Sequence, residues 1–198
     1  MRRPIIAIDV DDVLLESGPA VIADYNRRFG TRLPVGAYNS AHDRQAWGDV
    51  DITTAIQRVD DFVLTAAFIE REPLREVADA LAKLAERYEL HVLTGRNEIV
   101  AKLTNDWLER YFPGIFSSVS FSNLFVPERR RSKGEMCVEL GASFLIDDHL
   151  LHVKNAAECG LGAVLFGDYP WNRADVLPLG VVRCIDWSAV LEYFDGIN

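Results

Sequence analysis

Residues 5–15 read IIAIDVDDVLL, and this stretch decides the fold. The apolar run at residues 5–8 is typical of a strand buried in a parallel sheet. Three carboxylates follow at its carboxyl end, where open α/β sheets bind their ligands: Asp9, Asp11 and Asp12. Because neighbouring carboxylates repel one another, the cluster indicates a bound cation, and oxygen ligands of this kind suit Mg²⁺. The alternative interpretation is an acidic turn exposed to solvent.

Composition and charge narrow the class of protein. The chain has 198 residues, of which 49% are apolar and 26% charged, enough for one core domain with an elaboration. A net charge of −9 argues against binding to polymeric nucleic acid, which requires a basic surface, but allows a small phosphorylated substrate. The scattered cysteines Cys137, Cys159 and Cys184 predict neither a disulfide framework nor a zinc site.

The sequence does not predict a membrane protein. No apolar run approaches the roughly 20 residues that span a bilayer. The first residues, Met-Arg-Arg-Pro, lead directly into the first strand and lack the length and cleavage site of a signal peptide. We therefore expect a cytoplasmic location and no membrane partner, while the oligomeric state stays open.

Strands and helices alternate along the second part of the chain. Apolar runs predict strands at residues 90–93, 118–121, 144–146, 163–166 and 181–185. Between them lie helices, one beginning at Pro73 and another at Ser132, where Glu135 completes a capping box. This alternation predicts an α/β fold in which a three-layer, Rossmann-like parallel sheet carries helices on both faces.

Residues 16–72 interrupt this alternation. One helix is predicted to start near Ser17 and a second to cover residues 51–70, without a convincing strand between them. We interpret the segment as a small helical cap, and residues 1–15 and 73–198 as the core domain.

Four groups of polar residues lie at or near the ends of the predicted strands. Their order along the chain is more specific than any one of the groups. The groups are Asp9-x-Asp11, Thr94-Gly95, Lys133 and Asp147-Asp148. Because the carboxyl ends of parallel strands share one edge of a sheet, we expect the groups to converge there. The set and its order resemble the haloacid-dehalogenase-like (HAD) phosphohydrolase superfamily over nearly the whole chain.

A narrower resemblance lies in the position of the insertion and in short sequences around the motifs. An insertion between the first and second motifs is the arrangement of the 5'(3')-deoxyribonucleotidases. The sequences DVDDVL, LTGR, LIDDH and FGDYPWNR are similar to those of their bacterial relatives.

The resemblance implies the chemistry of the acidic residues. Asp9 would attack phosphorus to form an aspartyl-phosphate. Asp11 would protonate the leaving oxygen and then activate water, and its pKa should rise beside other carboxylates unless the metal and nearby donors offset them. Asp9, the backbone carbonyl of Asp11, and Asp147 would hold Mg²⁺.

The same resemblance implies a phosphate site. Thr94 and the Gly95 amide would bind phosphate at the start of a helix, and Lys133 would offset the carboxylates. Asp148 would act through water or by orienting Lys133. The structural alternatives are a helix cap for Thr94 and a surface lysine for Lys133.

Other polar residues near these motifs have less definite roles. Asp12 departs from the glycine that is frequent in this loop, and we expect it to bond loop amides. His149 and His152 are expected to be surface or packing residues, since no soft ligand is placed to form a zinc site with them. The loop at 166–173 could line the entrance of the site or fasten the C-terminus.

The cap is expected to select the leaving group. Its six aromatic residues are Tyr25, Phe29, Tyr38, Trp47, Phe62 and Phe68. Most should pack the cap itself, whereas Tyr38 and Trp47, in polar loop surroundings, are candidates to line the substrate pocket and stack on a base. The leading hypothesis is therefore a Mg²⁺-dependent phosphatase of nucleoside monophosphates.

Several rival functions differ in testable ways. A phosphatase of a sugar phosphate or other small metabolite would use the same core motifs with a purely structural cap. A receiver-like phospho-switch would carry its acidic pair before the acceptor aspartate, the reverse of the order here. A dehalogenase does not need Asp11, and a polynucleotide 3'-phosphatase fits poorly with an acidic surface.

Overall fold

A computed structural model describes residues 3–39, 47–48, 50–124, 126 and 128–197. Six parallel strands form one sheet in this part of the chain: β1 Ile5–Ile8, β2 Glu89–Thr94, β3 Phe116–Phe121, β4 Phe144–Asp147, β5 Gly162–Phe166 and β6 Val181–Cys184. The spatial order is β3-β2-β1-β4-β5-β6. β1, the strand of the opening motif, therefore lies between β2 and β4, and the acidic stretch begins near the middle of the sheet edge.

The helices connect these strands in the order that parallel topology requires. They are α1 Gly18–Phe29, α2 Ile52–Val63, α3 Ala66–Ile69, α4 Val77–Arg87, α5 Ala101–Tyr111, α6 Lys133–Leu140, α7 Leu150–Glu158 and α8 Trp187–Gly196, with 3₁₀ turns at Val35–Asn39 and Glu98–Val100. No helix of the described residues is long and apolar enough to cross a bilayer.

Side chains of the central strand alternate between two apolar layers. Ile6 and Ile8 belong to the cluster that contains Leu81 of α4 and Phe194 of α8. Ala7 belongs to the second cluster, which contains Met136 of α6 and Val153 of α7. Both faces are therefore covered, which explains why β1 is apolar at every position. The prediction of a three-layer α/β sheet is confirmed.

The helix predicted over residues 51–70 is divided in the structure. α2 ends at Val63, and the Thr65 hydroxyl donates to the Phe62 carbonyl at 2.7 Å before α3 begins. The hydroxyl thus satisfies a carbonyl that has no partner at the end of α2, and the chain continues into the short α3.

The helix expected to begin at Pro73 begins instead at Val77. The Leu74 amide donates to the Leu14 carbonyl at 2.8 Å, which fixes this segment beside the loop after β1. Glu76 then has a left-handed φ of 65° and ends the irregular segment. Amphipathic spacing predicted the helix correctly but not the turn that delays its start.

Between β1 and α4 the elements formed by the described residues are helices and a 3₁₀ turn, without a strand. Tyr25 of α1 lies at the centre of this segment, with ring centroids 4.8 Å from Phe29 and 5.1 Å from Trp47. Arg58 of α2 donates to the Tyr25 hydroxyl at 2.9 Å. The apolar cluster of the segment continues into that of the sheet, so a cap domain bounded at residues 16–72 stays a prediction.

Trp187 offers a test of how the C-terminal helix is attached to the motif loop. Its buried indole N–H donates to the Val13 carbonyl at 3.0 Å. Trp187→Phe is expected to lower the free energy of unfolding by about 2–3 kcal/mol, because a buried carbonyl loses its donor and a cavity forms. Urea denaturation measures this change, and a loss below about 0.5 kcal/mol would contradict the assigned contact.

Candidate active site

Three adjacent strands bring the predicted motifs to one edge of the sheet. Asp9 directly follows β1, Thr94 ends β2 and Asp147 ends β4. The Asp9 amide donates to the Ile146 carbonyl at 3.0 Å, which continues the pairing of β1 with β4 past the end of β1. Because this ladder fixes the backbone, the side chains of Asp9 and Asp147 emerge next to each other.

Lys133 closes the gap between these two carboxylates. It is the first residue of α6, whose start is fixed by Ser132 accepting a hydrogen bond from the Glu135 amide at 3.1 Å, as the capping box predicted. Its Nζ lies 2.8 Å from Asp9 Oδ2 and 2.6 Å from Asp147 Oδ2, and the side chain is only 1% exposed. The surface alternative for Lys133 is therefore wrong.

Burial and the ammonium have opposite effects on the two carboxylates. Burial raises the pKa of Asp9 to about 6 although Lys133 favours its charged form. Burial would also raise the pKa of Asp147, but Lys133 and His152 outweigh it and lower that pKa. The pKa of Lys133 is raised because Asp147 and Asp9 outweigh the effect of its burial.

A third carboxylate completes a cluster suited to a hard cation. Asp9, Asp147 and Asp148 are all buried, and each offers an oxygen within 4.8 Å of the others. Burial together with the neighbouring Asp147 raises the pKa of Asp148 well above its usual value. An all-oxygen donor set with excess negative charge fits Mg²⁺.

Asp148 is held by an aromatic residue rather than by Lys133. The Trp171 indole donates to its Oδ2 at 2.6 Å, and Asn172 donates to its backbone carbonyl at 3.0 Å. No hydrogen bond or ion pair joins Asp148 to Lys133 among the described residues, and the expectation that Asp148 acts through water or by orienting Lys133 stays a prediction. Trp171 also stacks on Tyr169 with 4.7 Å between centroids, so the 166–173 loop supports the site.

The two histidines after this pair belong to the site, which corrects their interpretation as surface or packing residues. His152 Nδ1 lies 3.1 Å from Asp147 Oδ1, and both rings line the cleft above the carboxylates. His149 Nδ1 accepts from the Leu151 amide at the start of α7. Burial and the nearby His152 lower the pKa of His149 to about 4.

Arg96 is the site residue that the sequence reasoning missed. Its Nε and Nη2 donate to the Asp11 carboxylate at 2.9 and 2.7 Å, and Ser17 donates to the same group at 2.5 Å. These donors outweigh the effect of burial and lower the pKa of Asp11. The only signal in the sequence was its position directly after Thr94-Gly95.

Asp12 has a structural role, as expected. Its carboxylate accepts from the Ser17 amide at 3.0 Å and the Gly18 amide at 2.9 Å at the start of α1. The Ser17 side chain does not cap the helix, and the Asp12 carboxylate accepts from these amides instead. Asp12 itself has a left-handed φ of 57°. Burial raises the Asp12 pKa to about 7.

Thr94 and Gly95, the residues predicted to bind phosphate with Lys133, differ in their access to the cleft. Gly95 lines the cleft next to Arg96. Thr94 is fully buried beneath it, where its hydroxyl accepts from the Arg96 amide at 3.2 Å. Thr94 therefore shapes the loop in this structure and keeps its hydroxyl proton available as a donor.

The cleft lies between the sheet edge and the helical segment. Its volume is about 110 Å³, and Tyr38, Val59 and Asp60 line it together with the carboxylates. Tyr38 meets Trp171 with ring centroids 6.1 Å apart. Trp47 instead lies 3% exposed against Tyr25, in surroundings that are apolar rather than polar as expected, and lines a smaller adjoining cavity.

The remaining cap aromatics have packing roles in the structure. Phe62 and Phe68 meet at 5.5 Å, and Tyr25 contacts Phe29. The expectation that most of the six aromatic residues pack the cap is confirmed.

Solved structures of other proteins share this fold. A haloacid-dehalogenase-like hydrolase from Streptococcus pneumoniae is 15% identical, with a TM-score of 0.71 over 97% of this chain and 98% of that one. A predicted phosphatase from Clostridium acetobutylicum is 14% identical, with a TM-score of 0.70 over 99% and 100%. YfnB from Bacillus subtilis, described as a HAD hydrolase bound to magnesium, is 10% identical, with a TM-score of 0.65 over 98% and 100%.

The fold and the motif set define a phosphatase of the HAD type. The model of the family described as 5' nucleotidase, deoxy (pyrimidine), cytosolic type C (NT5C) matches residues 3–193, and the chain belongs to this family. No curated protein shows significant similarity to it.

The ion pair between Arg96 and Asp11 is expected to contribute more than a surface pair. The two side chains are 11% and 19% exposed and form two hydrogen bonds. A double-mutant cycle with Arg96→Met and Asp11→Asn should give a coupling energy of about 2 kcal/mol in urea unfolding.

The exposed pair of Lys102 and Asp106 on α5 is the matched control. Its cycle with Lys102→Met and Asp106→Asn should give at most about 0.5 kcal/mol. Equal coupling in the two cycles would contradict a special role of the Arg96 pair in holding Asp11.

Proposed function

We propose that this protein is a Mg²⁺-dependent phosphatase of nucleoside monophosphates that acts through an aspartyl-phosphate on Asp9. The observation that carries the proposal is the buried cluster in which Lys133 bridges Asp9 and Asp147 at the floor of a partly apolar cleft. Membership of a nucleotidase family supports the same conclusion.

Asp9 would perform the first chemical step. One carboxylate oxygen forms a bond to phosphorus while the bond from phosphorus to the ester oxygen breaks, and the leaving group takes a proton from Asp11. Water then loses a proton to Asp11 and attacks the phosphoryl group, which releases phosphate and restores the Asp9 carboxylate.

Arg96 suggests how the two roles of Asp11 are separated. Paired with Arg96, Asp11 is ionised, which is the form that accepts a proton from water. To act as the acid it must first take up a proton, and an anionic substrate that attracts the guanidinium would weaken the pair. The structure thus fits the second step directly and the first step after substrate binding.

Mg²⁺ would be held by Asp9, Asp147 and the backbone carbonyl of Asp11. When bound, it would neutralise charge on the phosphate oxygens. Asp148 is near enough to assist through its oxygen or a water. His152 restrains Asp147, and Lys133 keeps the carboxylates close without a metal. Lys133, Thr94 and the Gly95 amide would receive the phosphate.

The substrate class rests on the cap side of the cleft. Tyr38 lines both the cleft and the smaller apolar cavity beside it, which suits a planar leaving group better than a polyhydroxylated sugar. The net charge of −9 disfavours polymeric nucleic acid. A cytoplasmic location stays a prediction.

Asp9→Asn should abolish turnover because the amide is a poor nucleophile and a weaker metal ligand. We expect kcat to fall by at least about 10³-fold, measured as phosphate release at saturating substrate. Asp106→Asn, which removes an exposed acid from α5, is the matched control and should retain full activity. Unchanged turnover in the Asp9 variant would overturn the proposed nucleophile.

Removal of divalent ions tests the metal separately from turnover. Because a cation relieves repulsion among buried carboxylates, Mg²⁺ should raise the unfolding temperature of the native protein and chelation should reverse the shift. Asp147→Asn should remove most of this response, whereas Asp106→Asn should keep it. Full activity in excess chelator would contradict the role of Mg²⁺.

A substrate screen decides between the nucleotidase and its nearest rival. We expect kcat/KM for deoxynucleoside or nucleoside monophosphates to exceed that for sugar phosphates by at least about tenfold. A base would bury its apolar ring faces in the cavity, whereas a sugar has little apolar surface to bury. Phosphate release from a panel of both classes measures this ratio. Comparable weak rates on all compounds would remove the nucleotide assignment.

A further inference from the structure

The loop after β5 places one indole against the carboxylate cluster. Trp171 Nε1 donates to Asp148 Oδ2 at 2.6 Å. The other oxygen, Oδ1, forms no hydrogen bond or ion pair with the described residues, and Asp148 lines the cleft. A carboxylate group has a broad range of angles about its last bond, so a donor that holds one oxygen also fixes the direction of the other.

The indole is restrained by its own neighbours. Trp171 stacks on Tyr169 with an interplanar angle of 5°, and Tyr38 contacts it edge-on. The backbone of Gly18 lies so close that an added Cβ would come within 2.9 Å of the indole. The Tyr169 hydroxyl in turn donates to the Asp12 carbonyl at 2.8 Å. Because these contacts hold the ring, the direction of its N–H is set before a cation binds.

The loop that carries Trp171 does not need the indole bond to stay in place. Asn172 is fully buried and donates to the backbone carbonyls of Asp148 and Phe166 at 3.0 and 2.8 Å. Arg183 of β6 donates to the side chain of Asn172 at 3.0 Å and to its carbonyl at 2.7 Å. These bonds attach the loop to the ends of β4 and β5 and to β6, so the indole bond acts chiefly on the Asp148 carboxylate.

A neutral donor orients a carboxylate and leaves most of its charge in place. Asp148 has no cationic partner among the described residues, whereas Asp9 and Asp147 share Lys133. All three carboxylates are buried, and each offers an oxygen within 4.8 Å of the others. The charge of Asp148 is therefore available to a divalent cation in a way that the charge of a lysine-paired carboxylate is not.

We propose that Trp171 is a positioning residue for the divalent cation: its indole N–H holds Oδ2 of Asp148 and leaves Oδ1 as the oxygen available to a cation held by Asp9 and Asp147. The inference rests on the proposed Mg²⁺-dependent function and adds to the metal site a residue outside the four motifs. Trp171 acts through Asp148 and is not among the residues that line the cleft.

The test measures the affinity of the metal-free protein for Mg²⁺ alone, from the rise in unfolding temperature as MgCl₂ is titrated. Trp171→Phe keeps a ring that can stack on Tyr169 and removes the N–H. The Kd for Mg²⁺ should rise at least about tenfold, since groups that hold a metal ligand in place typically change metal affinity by about 10–100-fold. In turnover, the Mg²⁺ concentration for half-maximal phosphate release should rise by a similar factor, while kcat at saturating Mg²⁺ should fall by less than about threefold.

Trp107→Phe is the matched control. Trp107 is a buried indole that donates to the Arg71 carbonyl at 2.8 Å and packs against Tyr111, away from the carboxylates. This variant should lower the unfolding temperature of the metal-free protein and leave the Kd for Mg²⁺ unchanged. The same pattern in Trp171→Phe would mean that the indole has a structural role alone.

A second comparison tests whether Trp171 acts through Asp148. In an Asp148→Ala background, Trp171→Phe should change the Kd for Mg²⁺ by less than about twofold, because the indole has no carboxylate left to hold. If Asp148→Ala binds no Mg²⁺, Asp148 is itself a required ligand and the single Trp171 variants decide. Trp171→Met, which also lacks the donor, replaces the phenylalanine variant if circular dichroism shows that the latter does not fold, and it should lose affinity likewise.

The outcomes separate this inference from the proposed function. An unchanged Kd for Mg²⁺ in the Trp171 variants, or an equal loss with and without Asp148, would overturn the inference while Mg²⁺-dependent turnover stands. A native protein whose unfolding temperature does not respond to Mg²⁺ and which is fully active in excess chelator would overturn the proposed metal dependence and the inference together.

Discussion

Lys133 is the residue on which the arrangement of this site depends. Its ammonium is buried between Asp9 and Asp147, and neither carboxylate could be buried beside the other at low cost without it. Lys133 reaches both carboxylates only because β1 and β4 are neighbours and α6 begins at their carboxyl ends. The neutralisation of Asp9 and Asp147 therefore depends on the sheet topology and on the capped start of α6.

Five carboxylates lie at this edge, and they are divided among several partners. Lys133 serves two of them, and Arg96 holds Asp11. The remaining two accept from main-chain amides and from an indole. Their surroundings shift the carboxylate pKa values in different directions. In the proposed mechanism, this separation would let chemically identical residues serve as nucleophile, proton carrier and structural acceptor.

Much of the site could be predicted because its signals are local in the chain. The apolar run before Asp9 marks a buried strand, and the serine and glutamate around Lys133 mark a helix start. Alternating strands and helices then place the polar residues at one edge. The helix boundaries at residues 64–76 could not be predicted this way, since they depend on a hydrogen bond from Leu74 to Leu14 and on one left-handed residue.

The sequence by itself determined the sheet, its direction and the edge at which Asp9 and Asp147 meet, because strand periodicity and parallel topology are read from neighbouring residues. Only the tertiary structure decided that Arg96 pairs with Asp11, 85 positions away in the chain. The same is true of the hydrogen bond from Trp171 to Asp148 and of the position of Asp60 in the lining of the cleft. Such contacts depend on side-chain direction and on the distance between separate elements, which no local pattern encodes.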